Sequence, residues 1–251
     1  MAQVHRHATC PQTRGEADSR EAGLMQRRVV WSLALGLVVV GTASIDRARG
    51  GSRAQAVAAY ARLPLSFEAN QGQTDSRVRF LGRGIGHTVF LTQQELVVTA
   101  SDNVLRMRFV AANPQARVAG LEPLPGKANY FIGRDPARWH ANVPLYAQVR
   151  YHDLYPGIDL TVSGDHRDLD FAFVVSPGAD PKQIVLAWQG ADARALGNPV
   201  LYQELGGVRR EIAGRYVPRD AHQVGIAVAN YDIGRPLVIG GRVPLSNTPR
   251  R

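Results

Sequence analysis

The chain has 251 residues and a formal net charge of +9, which allows one large domain or two small ones with a buried core. Its basic residues are all arginine apart from Lys127 and Lys182, and they are scattered along the sequence. Because no nucleic-acid-binding motif accompanies this charge, nucleic acid is excluded as an expected partner. The only cysteine is Cys10.

The N-terminal region is typical of an export signal. Residues 1–24 are polar and aperiodic, and we expect them to be disordered or untranslated. Met25 is the better start, because the charged MQRR precedes an apolar run, Val29–Val40, and the small residues up to Ala43. The run is shorter than the ~20 residues that a membrane-spanning helix needs. Residues 25–44 are therefore predicted to be a signal peptide.

Export would place the mature chain outside the cell, either secreted or at the cell surface. A retained N-terminal anchor is the alternative to cleavage, and Arg27-Arg28 also allows a twin-arginine route. Because Cys10 precedes the cleavage zone, the mature chain would hold no disulfide and no cysteine nucleophile. Its stability must come from an apolar core.

The remaining sequence predicts a β domain over residues 64–240, after a linker at 45–63 that includes a short Ala-rich helical segment and before a tail at 241–251. In Val104–Val110, apolar Leu105, Met107 and Phe109 alternate with arginines, which is the period of a half-buried strand. Similar runs are Val78–Phe80, His87–Thr92, Glu95–Ala100, Leu169–Val175, Gln183–Gln189, Arg209–Ile212 and Gln223–Tyr231. Many short strands with turn signals indicate an all-β, antiparallel, sandwich-like fold. Pro125-Gly126 is a candidate boundary between two β subdomains.

Aromatic residues and turn signals are densest between Asn129 and Pro181, where we expect turns between short strands. Asp135-Pro136 predicts a short helical turn, because Asp accepts backbone N–H groups and proline lacks the donor. Pro156-Gly157 and Pro177-Gly178 suit type II turns, since glycine tolerates the positive φ of the second position.

We predict that this stretch is a structural bracket, with Trp139, Tyr151 and Tyr155 packed inward and the Pro-Gly turns setting strand register. The bracket residues are Asn129, Tyr130, Trp139, Tyr151, Tyr155, Pro156, Gly157, Asp159, Pro177 and Gly178. The alternative is that some of its aromatic residues form a platform on which sugars stack.

Five acidic residues in the same stretch leave a second alternative open. They are Asp153, Asp159, Asp165, Asp168 and Asp170. A carboxylate pair among them could serve glycoside hydrolysis, and a tight cluster could hold calcium, although the loop glycine and terminal Glu of an EF-hand are missing. The simpler interpretation is that they fix turns and form the solvated face of the strand that contains Leu169 and Phe171.

Other catalytic and metal sites have little support in the sequence. The histidines show no paired metal-binding spacing, and no serine lies in a GxSxG motif. We therefore expect no catalytic residue, no cofactor and no metal.

Three segments resemble a known family: FEANQGQTDSRVRFLGRG at 67–84, LPGKANYFIGRDPARWHANVPLYAQVRYHDLYPGIDL at 124–160 and FVVSPGADPKQI at 173–184. They are similar to the uncharacterised N-terminal domain of bacterial exported proteins that carry β-propeller (SBBP) repeats, over about Leu63 to Ile239. The resemblance implies a secreted or surface β module without assigned catalytic residues. Phe171-Ala172-Phe173 stands where that family tends to have Tyr-Asp-Phe, and no repeats follow, which would suit a stand-alone version, a truncated gene or a frameshift product.

The sequence thus predicts a non-catalytic exported or cell-surface β module with a structural or interaction role. Its partner would be an unidentified protein or polysaccharide at the cell surface, with membrane contact only during export or through a retained anchor. The alternative is an exported polysaccharide hydrolase that uses a carboxylate pair within Asp153 to Asp170.

Overall fold

The computed structural model describes residues 63–100, 103–190 and 196–245, and the predicted signal peptide, most of the linker with its helical segment, and Cys10 lie outside these ranges. The fold is all-β, as predicted. Its strands are β1 Phe67–Ala69, β2 Val78–Arg83, β3 His87–Thr92, β4 Glu95–Ala100, β5 Asn103–Phe109, β6 Arg117–Tyr130, β7 His140–Tyr155, β8 Ile158–Gly164, β9 Asp168–Val175, β10 Val185–Gln189, β11 Val200–Leu205, β12 Val208–Ile212, β13 Gly214–Pro218, β14 Gln223–Val228 and β15 Leu237–Pro244. Two 3-10 turns are Pro136–Arg138 and Pro181–Gln183.

Strand β7 joins the two halves of the sheet. One of its edges pairs with β6, and its other edge pairs first with β1 and then with β8. From β1 the sheet continues through β2, β3, β4, β5, β10, β14 and β13, and from β8 it continues through β9, β15, β11 and β12. All of these pairings are antiparallel.

The sheet folds back on itself around one apolar core. Strand β9 shows the alternation clearly, because Leu169, Phe171, Phe173 and Val175 are buried while the residues between them are half-exposed. Each large apolar side chain buried in this way contributes about 1.5–3 kcal/mol to folding. A close approach of Gly241 on β15 to the side chain of Tyr216 on β13 shows that β13, at one end of the sheet, packs against β15, the third strand from the other end.

The predicted strands are confirmed where polar and apolar residues alternate, and β3 and β4 have the predicted bounds. The prediction of short strands around Asn129 is wrong, because β6 and β7 are 14 and 16 residues long. Among the described strands, β6 pairs only with β7, and its other edge, without a partner among them, tolerates prolines that an inner strand would exclude.

Two predicted boundaries are also corrected. Pro125 and Gly126 lie inside β6, and the described residues from 63 to 245 belong to a single compact unit instead of two subdomains. The β domain extends past Gly240 into the predicted tail, because β15 continues to Pro244 and Leu245 is buried. Pairing of β15 with β9 along its whole length extends the strand.

The β6–β7 hairpin is bent at residues with positive φ. Glu122 and Asn142 have φ of 54° and 59°; Glu122 directly precedes the first register shift, which begins at Pro123, and Asn142 lies within the second. The side-chain oxygen of Asn129 accepts a hydrogen bond of 2.8 Å from the backbone N–H of Asn142. Asn129 therefore holds one of these irregularities in place.

Candidate functional site

An open groove of about 820 Å³ crosses the outer face of β2, β3, β4 and β5. The strand register explains its floor, because Phe90 on β3 lies opposite Val97 on β4, and Val97 lies opposite Arg106 on β5. The alternate residues of the same strands, such as Leu96 and Met107, are buried in the core. Alternation thus gives this face an apolar floor with polar flanks.

Four arginines flank the floor, two on each side. Arg77 donates to Asp75 at 2.8 Å and Arg106 donates to Glu95 at 2.9 Å. The hydrogen bond from Arg77 lowers the pKa of the Asp75 carboxyl group to about 2. These two arginines are therefore neutralised by nearby carboxylates.

The other two arginines of the groove, Arg79 on β2 and Arg108 on β5, are exposed. Within the described residues, neither forms an ion pair or a side-chain hydrogen bond. Three strand spacings of about 4.8 Å separate β2 from β5, so the two free guanidinium groups belong to rows about 14 Å apart. The groove therefore offers two separated cations. Glu95 on β4 lies directly opposite Arg108, and the apolar pair Phe90 and Val97 lies in the neighbouring row of the sheet.

A second depression of about 480 Å³ continues the groove past β5. Arg106 and Arg108 line both depressions, and Ala187 and Gln189 of β10 lie directly opposite them. His222, just before β14, forms part of the far wall. The groove therefore spans five strands, which is long enough for an extended ligand.

Tyr151 and Tyr155 of the predicted bracket lie in the core. The Tyr151 hydroxyl donates to the Thr92 carbonyl at 2.8 Å, and the Tyr155 hydroxyl donates to the Val185 carbonyl at 3.2 Å. Burial raises the pKa of Tyr151 far above its ordinary value and raises the pKa of Tyr155 to about 12. Both tyrosines thus connect the end of β7 to other strands.

Trp139 is the exception, and the prediction that it packs inward is wrong. It is 41% exposed and directly follows the 3-10 turn at Pro136–Arg138, which Asp135 caps as predicted. Its indole Nε1 donates to the Gly133 carbonyl at 3.2 Å, and its ring packs edge-on against Phe131 at 5.4 Å. These contacts stay within the loop between β6 and β7, residues 131–139.

Tyr130, the last residue of β6, connects that end of the strand to β1 and β2. Its hydroxyl donates to the carboxylate of Glu68, which is buried on β1, and accepts from Arg83 of β2 at 3.3 Å. Arg83 also lies 3.6 Å from the Glu68 carboxylate. Burial, followed by the Glu68 hydrogen bond, raises the pKa of Tyr130.

The two predicted Pro-Gly turns pack against each other. Gly157 and Gly178 have φ of 70° and 79°, the left-handed region that a glycine after Pro156 or Pro177 is suited to adopt. The backbone N–H of Ser176 donates to the Gly157 carbonyl at 2.9 Å. The turn before β8 is thereby joined to the turn after β9.

The acidic residues are engaged in structural contacts. Asp159 accepts from the backbone N–H of Asp153 at 2.9 Å, which supports the left-handed conformation of Asp153 at an irregular point of β7. Asp165 accepts from the N–H groups of the turn before β9, and Asp168 and Asp170 pair with Arg242 on β15. In the described part of the chain, no group of three His, Cys, Asp or Glu residues could hold a metal ion.

The arginine groove is a candidate site that the sequence does not indicate. Alternation correctly puts Arg106 and Arg108 on one face of a strand, and the same signal exists for Arg77 and Arg79. Sequence does not reveal that β2 and β5 belong to one sheet with two strands between them. The alternation of arginines with apolar residues is therefore visible in each strand, whereas the order of the strands in the sheet is not.

Comparison with known proteins is limited to a family match. Among the described residues, no helix is long and apolar enough to cross a membrane. No curated protein matches the chain, and no solved structure matches it. The match to a family model covers residues 67–198, which include the arginines of the groove and the β6–β7 hairpin. Because this match covers more than half of the sequence, the chain belongs to the family of the domain of unknown function DUF7948.

Proposed function

We propose that this chain is a non-catalytic interaction module, exported to the cell surface, that binds an anionic polysaccharide in the groove across β2 to β5 and β10. The observation that carries the proposal is a pair of arginines, Arg79 and Arg108, which form no ion pair within residues 63–100, 103–190 and 196–245 and lie on either side of a groove that contains Phe90 and Val97. An unpaired guanidinium group on a strand has its five donors available to a ligand.

The chemistry of the groove suits sugar carboxylates. Arginine binds a carboxylate through two parallel hydrogen bonds, and such charge-assisted bonds are stronger than neutral ones. Phe90, which is half-buried in the floor, offers an aromatic surface to the apolar face of a sugar ring. Since these residues lie on paired strands, little ordering is needed when a ligand binds.

Export is supported by the order of charged, apolar and small residues from Arg27 to Ala43 and by the resemblance to the N-terminal domain of exported SBBP-repeat proteins. Sequencing the N-terminus of secreted protein tests it, and a cytoplasmic product that retains Val29–Val40 would refute it. The hydrolase alternative gains no support from four of the five acidic residues, because the carboxylates of Asp159 and Asp165 accept from backbone N–H groups and those of Asp168 and Asp170 pair with Arg242.

Calorimetric titration with alginate, a polymer of uronic acids, tests the groove directly. We expect binding that weakens with added salt, and we expect no binding to neutral dextran. Replacing both free arginines, Arg79→Gln with Arg108→Gln, should weaken alginate binding by about tenfold or more, because each charged hydrogen bond is worth about 1.5–3 kcal/mol.

A matched control separates site chemistry from net charge. Arg210→Gln with Arg215→Gln removes the same charge from exposed positions on β12 and β13, outside the groove. This double variant should bind alginate almost as well as the unmodified chain. If both double variants lose affinity equally, or if dextran binds as tightly as alginate, the proposed site is wrong.

A further inference from the structure

The loop that ends the β6–β7 hairpin, residues 131–139, presents an apolar surface to solvent. All nine of its residues are exposed. Phe131 and Ile132 are 62% and 70% exposed, and Trp139 lies beside Phe131 in an edge-on contact. Together these three side chains form what we call the loop tip. Large apolar side chains grouped in this way are typical of an interaction surface, whereas isolated ones are common everywhere.

Internal hydrogen bonds hold the conformation of the loop. Asp135 accepts from the N–H of Ala137 at 3.0 Å, and the Trp139 backbone N–H donates to Pro136. The Trp139 indole N–H donates to Gly133. Because the indole already has its partner, Trp139 can enter an apolar phase without breaking a hydrogen bond to water. The loop is therefore preformed for transfer out of water.

Two cations lie beside the loop tip. Arg134 and Arg138 are exposed, and within the described residues neither forms an ion pair. The single acidic residue of the loop, Asp135, uses its carboxylate to cap the 3-10 turn. Aromatic and aliphatic side chains flanked by arginine are the combination that binds at the interface of an anionic bilayer.

We propose that the loop tip inserts into the interface of an anionic membrane, with Phe131, Ile132 and Trp139 among the lipid chains and Arg134 and Arg138 at the phosphate groups. The proposal does not depend on the groove. The sequence predicts membrane contact only during export or through an N-terminal anchor, so the loop would add a separate contact from the folded domain.

Two features favour a membrane over a protein surface. A second copy would bring Arg134 and Arg138 against the same arginines or leave the apolar tip partly exposed, and like charges at close range repel each other. The tip has no buried residue and therefore no cleft that would receive a partner side chain, whereas a fluid bilayer requires no matching shape.

Fluorescence of Trp139 tests the proposal in the full chain. Trp31 lies outside the described residues and is replaced by phenylalanine, and Trp188 is buried in the core, so Trp139 is the solvent-exposed reporter. We expect a blue shift of its emission with phosphatidylcholine vesicles that contain an equal share of phosphatidylglycerol. Vesicles of phosphatidylcholine alone should give little shift, and nitroxide-labelled lipids should quench the emission in the anionic vesicles.

Variants then assign the shift to the loop. Arg134→Gln with Arg138→Gln, and separately Phe131→Ser with Ile132→Ser, should abolish most of it. The control Ile233→Ser, which changes an equally exposed apolar residue elsewhere, should keep it, as should the groove variant Arg79→Gln with Arg108→Gln. The N-terminal apolar segment is the same in all of these proteins, so it cannot account for a difference between them.

Three results would overturn the proposal. The first is unchanged Trp139 emission when the chain is bound to anionic vesicles. The second is a blue shift that depends on protein concentration without lipid, which would indicate contact between copies. The third is a shift produced by polyglutamate and not by vesicles, which would indicate an acidic protein partner.

Discussion

The base and the loop tip of the β6–β7 hairpin are both rich in aromatic residues, yet they differ in burial. At the base, Tyr151 and Tyr155 are buried, and their hydroxyls donate to carbonyls on distant segments of the chain. At the tip, Trp139 is exposed, and its indole N–H donates to Gly133 only six residues away. Both regions contain aromatic side chains, so aromatic composition does not distinguish them. The distinguishing feature is the hydrogen-bond acceptor of the side chain, which is distant in sequence for the tyrosines that stabilise the fold and local for the exposed Trp139.

The largest effect is expected at the base, from Tyr151→Ala. The substitution leaves a cavity among fully buried residues and should lower the free energy of unfolding by about 3–5 kcal/mol. Urea denaturation followed by circular dichroism measures this loss. Tyr151→Phe keeps the ring and removes only the hydrogen bond to Thr92, so it should cost about 1 kcal/mol. A Tyr151→Ala protein with unchanged stability would contradict the assignment of this residue to the core.

An intermediate effect is expected where Tyr130 joins the hairpin to β1 and β2. Tyr130→Phe leaves the buried Glu68 carboxylate with Arg83 as its remaining partner, so we expect a loss of about 1–3 kcal/mol in the free energy of unfolding. The control is Tyr202→Phe, because the Tyr202 ring contacts Arg209 and its hydroxyl has no hydrogen bond within the described residues. Equal losses in the two variants would show that the Glu68 contact adds no stability.

The sequence predicts the base of the hairpin well and its length poorly. Tyr155 directly precedes the Pro156-Gly157 turn and Tyr151 lies four residues before Tyr155, and aromatic residues beside a turn that must be anchored indicate burial. The length of β6 was hidden by its prolines, which normally break strands. They are tolerated because β6 has a partner strand on one side only in the described part of the chain, and this depends on the order of strands in the sheet.

The groove and the loop tip escaped prediction for related reasons. Each arginine pair of the groove is visible as the polar face of a strand, but its neighbours in space depend on strand order. Trp139 is an aromatic residue near turn signals, as Tyr151 and Tyr155 are. It lies away from the core because it belongs to the nine-residue loop between β6 and β7. Local patterns therefore identify which residues alternate, while tertiary pairing decides which faces meet.

The smallest effect is expected at the tip, from Trp139→Ala. An exposed ring that contacts mainly Phe131 contributes about 1 kcal/mol or less to stability, since an edge-on aromatic pair is worth about 0.5–1.5 kcal/mol and surface substitutions usually change little. The inward position expected from the sequence would instead cost about 3–5 kcal/mol. Trp188→Ala provides the matched comparison, because Trp188 is 5% exposed and belongs to the core cluster, so its loss should reach that larger range. Urea denaturation of the two variants measures the difference in their free energies of unfolding. Unfolding is monitored by circular dichroism, because each variant lacks one of the tryptophan fluorophores. If Trp139→Ala proves as destabilising as Trp188→Ala, Trp139 belongs to the structural bracket. The proposal that the loop tip inserts into a membrane would then be contradicted, because a side chain that holds the fold is not free to enter lipid.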